Sequence, residues 1–182
     1  MLFDKKTITL KDGSECILRS PLKEDALEMM EYLKACASET NFILRYIEEC
    51  TETEEQESKY LQAINDSKFN IMIVAFVDGE IAGNCQLNIH KRLKTRHRGD
   101  VAIAIKKKYW NKGIGSALFN ELIKIAKENG CLQLELEFIE GNTRARALYE
   151  KMGFSIFGER KRGIIQKDGT FLSEFFMVKF LD

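Results

Sequence analysis

The stretch Val101-Ala-Ile-Ala-Ile-Lys-Lys-Lys-Tyr-Trp-Asn-Lys-Gly-Ile-Gly-Ser116 restricts the fold more than any other part of this chain. Its apolar opening, residues 101–105, reads as a strand. Gly113 and Gly115 mark a loop. Ala117, Leu118, Leu122, Ile125 and Ala126 then fall on one face of a helix over residues 113–129, which Gly130 ends. Leu132-Gln-Leu-Glu-Leu-Glu-Phe138 alternates apolar and polar residues and supplies a second strand. A strand, a crossover helix and a strand in this order read as a parallel step, since parallel pairing needs such a crossover. The loop matters chemically as well. Glycines let backbone approach a ligand with no Cβ in the way, and a helix start offers N–H groups and the positive end of a dipole. Together they make a seat for a pyrophosphate.

The rest of the chain reads as antiparallel hairpins and helices. Residues 7–19 form a hairpin around Asp12-Gly13, and residues 71–77 and 81–89 form another around Asp78-Gly79. Residues 154–162 and 171–180 close the chain as a third, turning near Asp168-Gly169. A helix is predicted over residues 23–37, with Ala26, Leu27, Met30, Leu33 and Cys36 inward. Thr51 or Thr53 caps a second helix running to about Asn65, and Asn142 caps a short one. Residues 90–100 read as a basic loop. The expectation is an α/β (α+β) fold: one domain over residues 1–182, with a mixed, mostly antiparallel sheet flanked by helices.

Composition narrows the function classes. An apolar fraction of 45% and a charged fraction of 31% in 182 residues describe a globular chain. A formal net charge of zero argues against a general nucleic-acid binder. No apolar run reaches the length of a membrane span, and the N-terminus lacks a signal-peptide core. The five cysteines are odd in number and never spaced as CxxC, which argues against a disulfide framework or a zinc site. They read as small buried hydrophobes in a cytoplasmic protein.

Three phosphate-binding readings of the glycine loop compete. A nucleoside-triphosphate loop requires G-x-x-x-x-G-K-[ST], and Gly115 is followed by Ser-Ala. A dinucleotide fingerprint requires a third glycine, where Leu118 stands, although Glu135 sits at a suitable distance. The third reading is a coenzyme A site.

Tyr109-Trp-Asn-Lys-Gly-Ile-Gly-Ser-Ala-Leu118 resembles the (Q/R)-x-x-G-x-(G/A) pyrophosphate motif of the GCN5-related N-acetyltransferases (GNAT). Asn142-Thr-Arg-Ala-Arg-Ala-Leu-Tyr-Glu-Lys-Met-Gly-Phe154 resembles the same family's N-x-x-A-x-x-x-Y-x-K-x-G-F segment. Both occur in the family's order and at its usual separation, and the resemblance covers about residues 7–181. Residues 96–100 and 171–181 are similar to the branch holding ribosomal-protein alanine and amino-acid acetyltransferases. One position departs: Trp110 stands where the family usually has Gln or Arg.

The resemblance implies a splayed central strand and an acetyl-CoA-dependent N-acetyltransferase that releases coenzyme A. Amides of Asn111, Lys112, Gly113, Ile114, Gly115 and Ser116 would hold the pyrophosphate. Backbone of Ile103, Ala104 and Ile105 would pair with the pantetheine arm, and an N–H near Ile103 would hold the oxyanion of a tetrahedral intermediate. Asn142 would lie near the pantetheine, beside its simpler reading as a helix cap. Tyr149 would protonate the leaving thiolate, beside its simpler reading as a core aromatic. Lys106, Lys107, Lys108 and Lys112 add positive charge or are a solvated strand end. Glu137 is the leading candidate for the base, with Glu80, Asp100, Glu140, His90 or a water chain as others.

Acceptor readings stay open. The acidic residues 48–57 suit a cationic amine, and the basic residues 91–98 an anionic acceptor such as an amino-acid carboxylate. Both also read as exposed surface. The partner implied is a small amine or a peptide N-terminus, with no nucleic acid and no membrane, and a homodimer is compatible. A non-catalytic acyl-CoA-binding or regulatory module on the same fold is the alternative.

Overall fold

The computed structural model describes residues 1–181. They divide into two compact units, one of residues 1–88 and 102–122 and one of residues 89–101 and 123–181.

The first unit opens with an antiparallel hairpin, β1 (Lys6–Thr9) and β2 (Glu15–Arg19). Its turn is held by the Leu10 N–H on Ser14 O at 2.8 Å, with Gly13 at a φ of 85°. Helices α1 (Ala26–Glu39) and α2 (Glu54–Asp66) follow, then the hairpin β3 (Asn70–Val77) and β4 (Glu80–Ile89). Asp78 and Gly79 both have positive φ, 52° and 81°, as a two-residue turn matched to strand twist requires. Residues 71–77 of β3 are all buried, so both faces of this strand are covered. One face, Met72, Val74 and Phe76, packs with Ala26, Met29, Tyr32 and Cys36 of α1 and Leu61 and Ile64 of α2.

That core corrects the face expected for α1. Leu27 is 53% exposed, and Met29 and Tyr32 point inward instead. A helical period fits either set of positions. Tyr32 is fully buried, and its hydroxyl finds hydrogen-bond partners in the half-buried Asn84 and Ala104.

Helix α2 starts as a capping box. Thr53 Oγ1 accepts the Gln56 N–H at 3.3 Å, and Gln56 Oε1 accepts the Thr53 N–H at 2.8 Å. Thr53→Ala is expected to cost about 1 kcal/mol. The check is a urea titration in which the midpoint falls and the slope stays constant.

Strand β5 (Arg98–Ile105) is common to both units, and α3 (Ile114–Glu128) follows it. The neighbours run β1-β2-β3-β4-β5 in the first unit and β5-β6-β8-β7 in the second. Residues 98–100 were expected in a loop. They join β5 through a parallel register with β6 (Gln133–Ile139), from Arg98↔Gln133 to Asp100↔Glu135. Arg98 seals that register with two bonds to the Glu135 carboxylate, at 2.6 and 2.5 Å. Pairing here overrides the weak strand preference of Arg-Gly-Asp.

The second unit continues with α4 (Thr143–Lys151), β7 (Ser155–Ile165) and β8 (Phe171–Phe180). β8 is antiparallel to both β6 and β7. β7 runs three residues beyond the expected Arg162. Gly130, at a φ of 78°, ends α3. Leu134, Leu136 and Phe138 of β6 are buried, and Glu135 and Glu137 lie on its opposite face. The fold is the expected mixed α/β architecture, with eight strands and four α-helices among the described residues. All five cysteines are buried, and burial pushes the Cys16 and Cys36 thiols up to about 11. Among the described residues no helix is long and apolar enough to cross a membrane.

Candidate active site

In the first unit the chain leaves β5 through a short 3-10 turn, Lys107–Tyr109, and enters α3 through two left-handed residues. Asn111 has a φ of 65° and Gly113 a φ of 102°. Asparagine tolerates that region better than most residues, and glycine does so freely. The Lys112 carbonyl accepts the Lys11 N–H at 3.0 Å, which ties the loop to the first hairpin. Gly113 O accepts the Ala117 N–H at 3.1 Å and begins the helix. Gly115 lies buried within the first turn. The loop therefore delivers backbone to the positive end of a 15-residue helix.

The lysines beside it are less free than their number suggests. Lys106 and Lys108 both grip the Glu80 carboxylate, and the Tyr109 hydroxyl donates to it at 3.2 Å. Lys112 pairs with Asp12 at 2.8 Å. The two lysines hold the Glu80 carboxyl down at about 2, which makes it a poor proton acceptor. Lys112, with Ser14, holds Asp12 far below the usual carboxylate range.

The end of β5 is braced by Tyr32, which the sequence did not single out, and by Trp110, noted there only as a departure from the motif. The Tyr32 hydroxyl donates to Ala104 O at 2.8 Å and accepts the Asn84 N–H at 3.2 Å. Trp110 Nε1–H donates to Ile105 O at 2.7 Å, so the residue that departs from the family motif fixes the strand. Gly83 lets β4 approach closely, since a Cβ there would sit 2.9 Å from Ala104 O. The signal for Tyr32 was its polar tip inside a helix that is otherwise apolar on that face. Ile103, Ala104 and Ile105 are all half-buried.

In the second unit Asn142 Oδ1 accepts the Ala145 N–H at 3.2 Å, so this side chain is the N-cap of α4. About two turns further on, Tyr149 is buried between Phe138 and Phe154, with ring centroids at 6.2 and 6.4 Å. Burial pushes its phenol up to about 12. Glu137 neighbours Phe138 on β6 and points to the other face. It is exposed, yet partial burial and the nearby Glu174 raise its pKa, with Arg160 opposing. Glu174 is itself buried and bonded to Arg160. The other candidates for the base are engaged: His90 Nε2 lies 3.0 Å from Asp100 Oδ2, and Glu140 accepts the Ser173 N–H at 2.8 Å.

The acetyltransferase (GNAT) family model matches residues 28–154, a span that holds the loop, the cap and the tyrosine. The chain belongs to the GNAT family. A GNAT acetyltransferase from Streptococcus pneumoniae is 33% identical, covers 91% of this chain and 99% of its own, and superposes with a TM-score of 0.85. The L-amino acid N-acetyltransferase AaaT of Escherichia coli is 28% identical over 109 residues, 59% of this GNAT chain and 66% of its own length. The chain spans about two thirds or less of the curated relatives it matches. The yncA protein of Salmonella typhimurium, solved with acetyl-CoA, has the same fold, with a TM-score of 0.79 at 18% identity and coverage of 92% and 94%.

The donor set of this GNAT chain fits acetyl-CoA. A pyrophosphate needs N–H donors and positive potential, and the residue 111–116 loop at the start of α3 offers both. Gly113 keeps that surface free of a Cβ. Lys106 and Lys108 share the Glu80 carboxylate and Lys112 faces Asp12, so less of the charge of this run is free than its length suggests.

Proposed function

We propose that this chain acetylates a primary amine, an amino acid or a peptide N-terminus among the candidates, with acetyl-CoA as donor and coenzyme A as product. The observation that carries the reading is the loop of left-handed Asn111 and Gly113 opening directly into α3. Acetyl-CoA supplies an activated thioester. Amides of residues 111–116 hold its pyrophosphate. The carbonyls of Ala104 and Ile105 already receive Tyr32 and Trp110, so the backbone of Ile103 is the favoured partner for the pantetheine arm and the oxyanion donor. Asn142 sets the start of α4 and so the place of Tyr149.

Tyr149 keeps its proton throughout the working range, because a phenol pushed up to about 12 does not ionise there. It therefore acts as a donor towards the leaving sulfur. Glu137 takes the proton from the attacking ammonium. A first test is calorimetric titration with acetyl-CoA, followed by coenzyme A release across amino acids, polyamines and short peptides. Absence of binding at millimolar acetyl-CoA would overturn the reading.

The pH dependence has a definite sign. Glu137 is raised above its usual 4.5, so its basic form grows as pH rises through that raised value. The acceptor's own ammonium, near 10, keeps the rate climbing above neutrality. A kcat/KM profile should therefore rise from acid into the alkaline range, with no limb from Tyr149. Glu137→Gln should remove the lower inflection and leave acetyl-CoA affinity unchanged. An unaltered profile would remove Glu137 from the mechanism.

A further inference from the structure

Glu174 is a carboxylate in an apolar position. It stands inside β8 and is 4% exposed. Its Cα partners are Ile139 of β6 on one side and Arg160 of β7 on the other. Arg160 Nη1 donates to Glu174 Oε2, yet the Arg160 side chain is 62% exposed. The acid is desolvated while its partner stays in water, which is a poor way to gain stability. An apolar residue here would be buried more cheaply.

Strand β7 is shaped around this pair. Between the partners Arg160↔Glu174 and Ile164↔Leu172, β7 advances four residues while β8 advances two. Arg162 takes a left-handed φ of 54° in the bulge. Gly163 lies so close that a Cβ would meet Arg160 O at 3.1 Å and Glu174 Cβ at 3.2 Å. A bulge re-aims the side chains beside it. Here the Arg160 guanidinium also lies over the Phe176 ring, 4.8 Å from its centroid.

Phe176 is the Cα partner of Glu137. Paired positions share a face, and Glu137 and Ile139 point the same way along β6. Glu137 and Glu174 are therefore diagonal neighbours on one face of the second unit's sheet, about 7–8 Å apart. The other charges facing Glu137 are held by partners. Asp100 of β5 contacts His90 at 3.0 Å, and Glu135 of β6 carries Arg98. Apart from partial burial, Glu174 is the largest influence on Glu137 and raises its pKa, Arg160 opposes it, and Asp100 adds to the rise. The order is physical: Glu174 acts from a buried position, whereas Arg160 is screened by water. A carboxylate is a weak base towards an ammonium, and one that holds a proton more firmly is better matched to the task.

We propose that Glu174 and Arg160 are positioning residues for acetyl transfer: Arg160, set by the β7 bulge, keeps Glu174 ionised within the sheet, and Glu174 makes Glu137 a stronger acceptor for the proton of the attacking amine. The inference rests on the reading of Glu137 as the base.

The test follows the Glu137 carboxyl of the full chain by carbon-13 NMR as pH is varied, with Glu137→Gln to assign its signal. Glu174→Gln should move the Glu137 titration to lower pH by at least about half a pH unit, the worth of one charge at about 7 Å even in water. Glu174→Asp keeps the charge and should keep the titration raised. Arg160→Gln leaves two coupled carboxyls, so the Glu137 curve should spread into two steps, and Arg160→Lys should restore one. This variant tests the same coupling if Glu174→Gln does not fold. Glu159→Gln, on the opposite face of β7, should change nothing. The lower inflection of kcat/KM, measured with the best amine from the coenzyme A release screen, should move with the NMR titration. A Glu137 titration that stays unmoved in Glu174→Gln and single-stepped in Arg160→Gln, whatever happens to Tm, would overturn the proposal and leave acetyl transfer standing. A titration that moves while the kcat/KM profile stays would instead overturn Glu137 as the base, and this role with it.

Discussion

Tyr149→Phe is expected to lower kcat by about 10²–10⁴-fold, the usual worth of a positioned proton donor. Acetyl-CoA affinity should barely change. The prediction separates two roles that the position combines. As a core aromatic, Tyr149 packs its ring against Phe138 and Phe154, and phenylalanine keeps that ring. As a donor it contributes one O–H, and phenylalanine removes only that. A stability loss with unchanged turnover would assign the residue to packing. A turnover loss without a stability loss assigns it to the leaving group. Since burial holds the phenol at about 12, the defect should be the same size at every pH from 6 to about 9. A defect that varied with pH across that range would mean that another titrating group donates the proton. Single-turnover kinetics are the deciding measurement, because slow coenzyme A release would mask a chemical defect in the steady state.

How much of this was legible in the sequence follows from which residues act locally. Asp78-Gly79, Thr53 and Gly130 each impose their geometry on a few neighbouring residues; the turn and the stop lie where the sequence puts them, and the cap falls on Thr53, one of the two threonines it offered. The alternation of Leu134, Leu136 and Phe138 likewise carries its own face assignment. The glycine loop belongs to the same class, since its conformation comes from Asn111 and Gly113 themselves. What escaped depends on partners far away in the chain. Glu80 is nearly thirty residues before Lys106 and Lys108, which share its carboxylate, so their charge reads as free until the fold closes on it. Tyr32 braces Ala104 across seventy-two positions, and its reach displaced the face assigned to α1. Residues 98–100 look like loop because their strand character is lent by Glu135. Local geometry was thus readable, and the electrostatic state of the site was not.

That division shapes the second large effect. Gly113→Glu is expected to raise the dissociation constant for acetyl-CoA by at least about 100-fold, combining strain with like-charge repulsion. The φ of 102° lies where an L residue is strained, so any side chain perturbs the turn that aims the amides. Space itself is no obstacle, since a Cβ would meet only Lys11 Cγ at 3.6 Å. Glutamate adds a carboxylate where the phosphates are expected, and so sets like charge against them. Gly113→Ala isolates the strain and should weaken binding far less. Gly130→Glu supplies the complementary control. It imposes a similar strain, at a φ of 78° with nothing within 4 Å, at the opposite end of α3. It should lower Tm yet leave acetyl-CoA binding intact. In the unsubstituted chain, acetyl-CoA at 100 times its dissociation constant should add about 2.7 kcal/mol of stability. Gly113→Glu should lose that increment and Gly130→Glu should keep it. If both variants kept it, the loop would be a structural turn and the pyrophosphate seat would have to lie elsewhere on the chain.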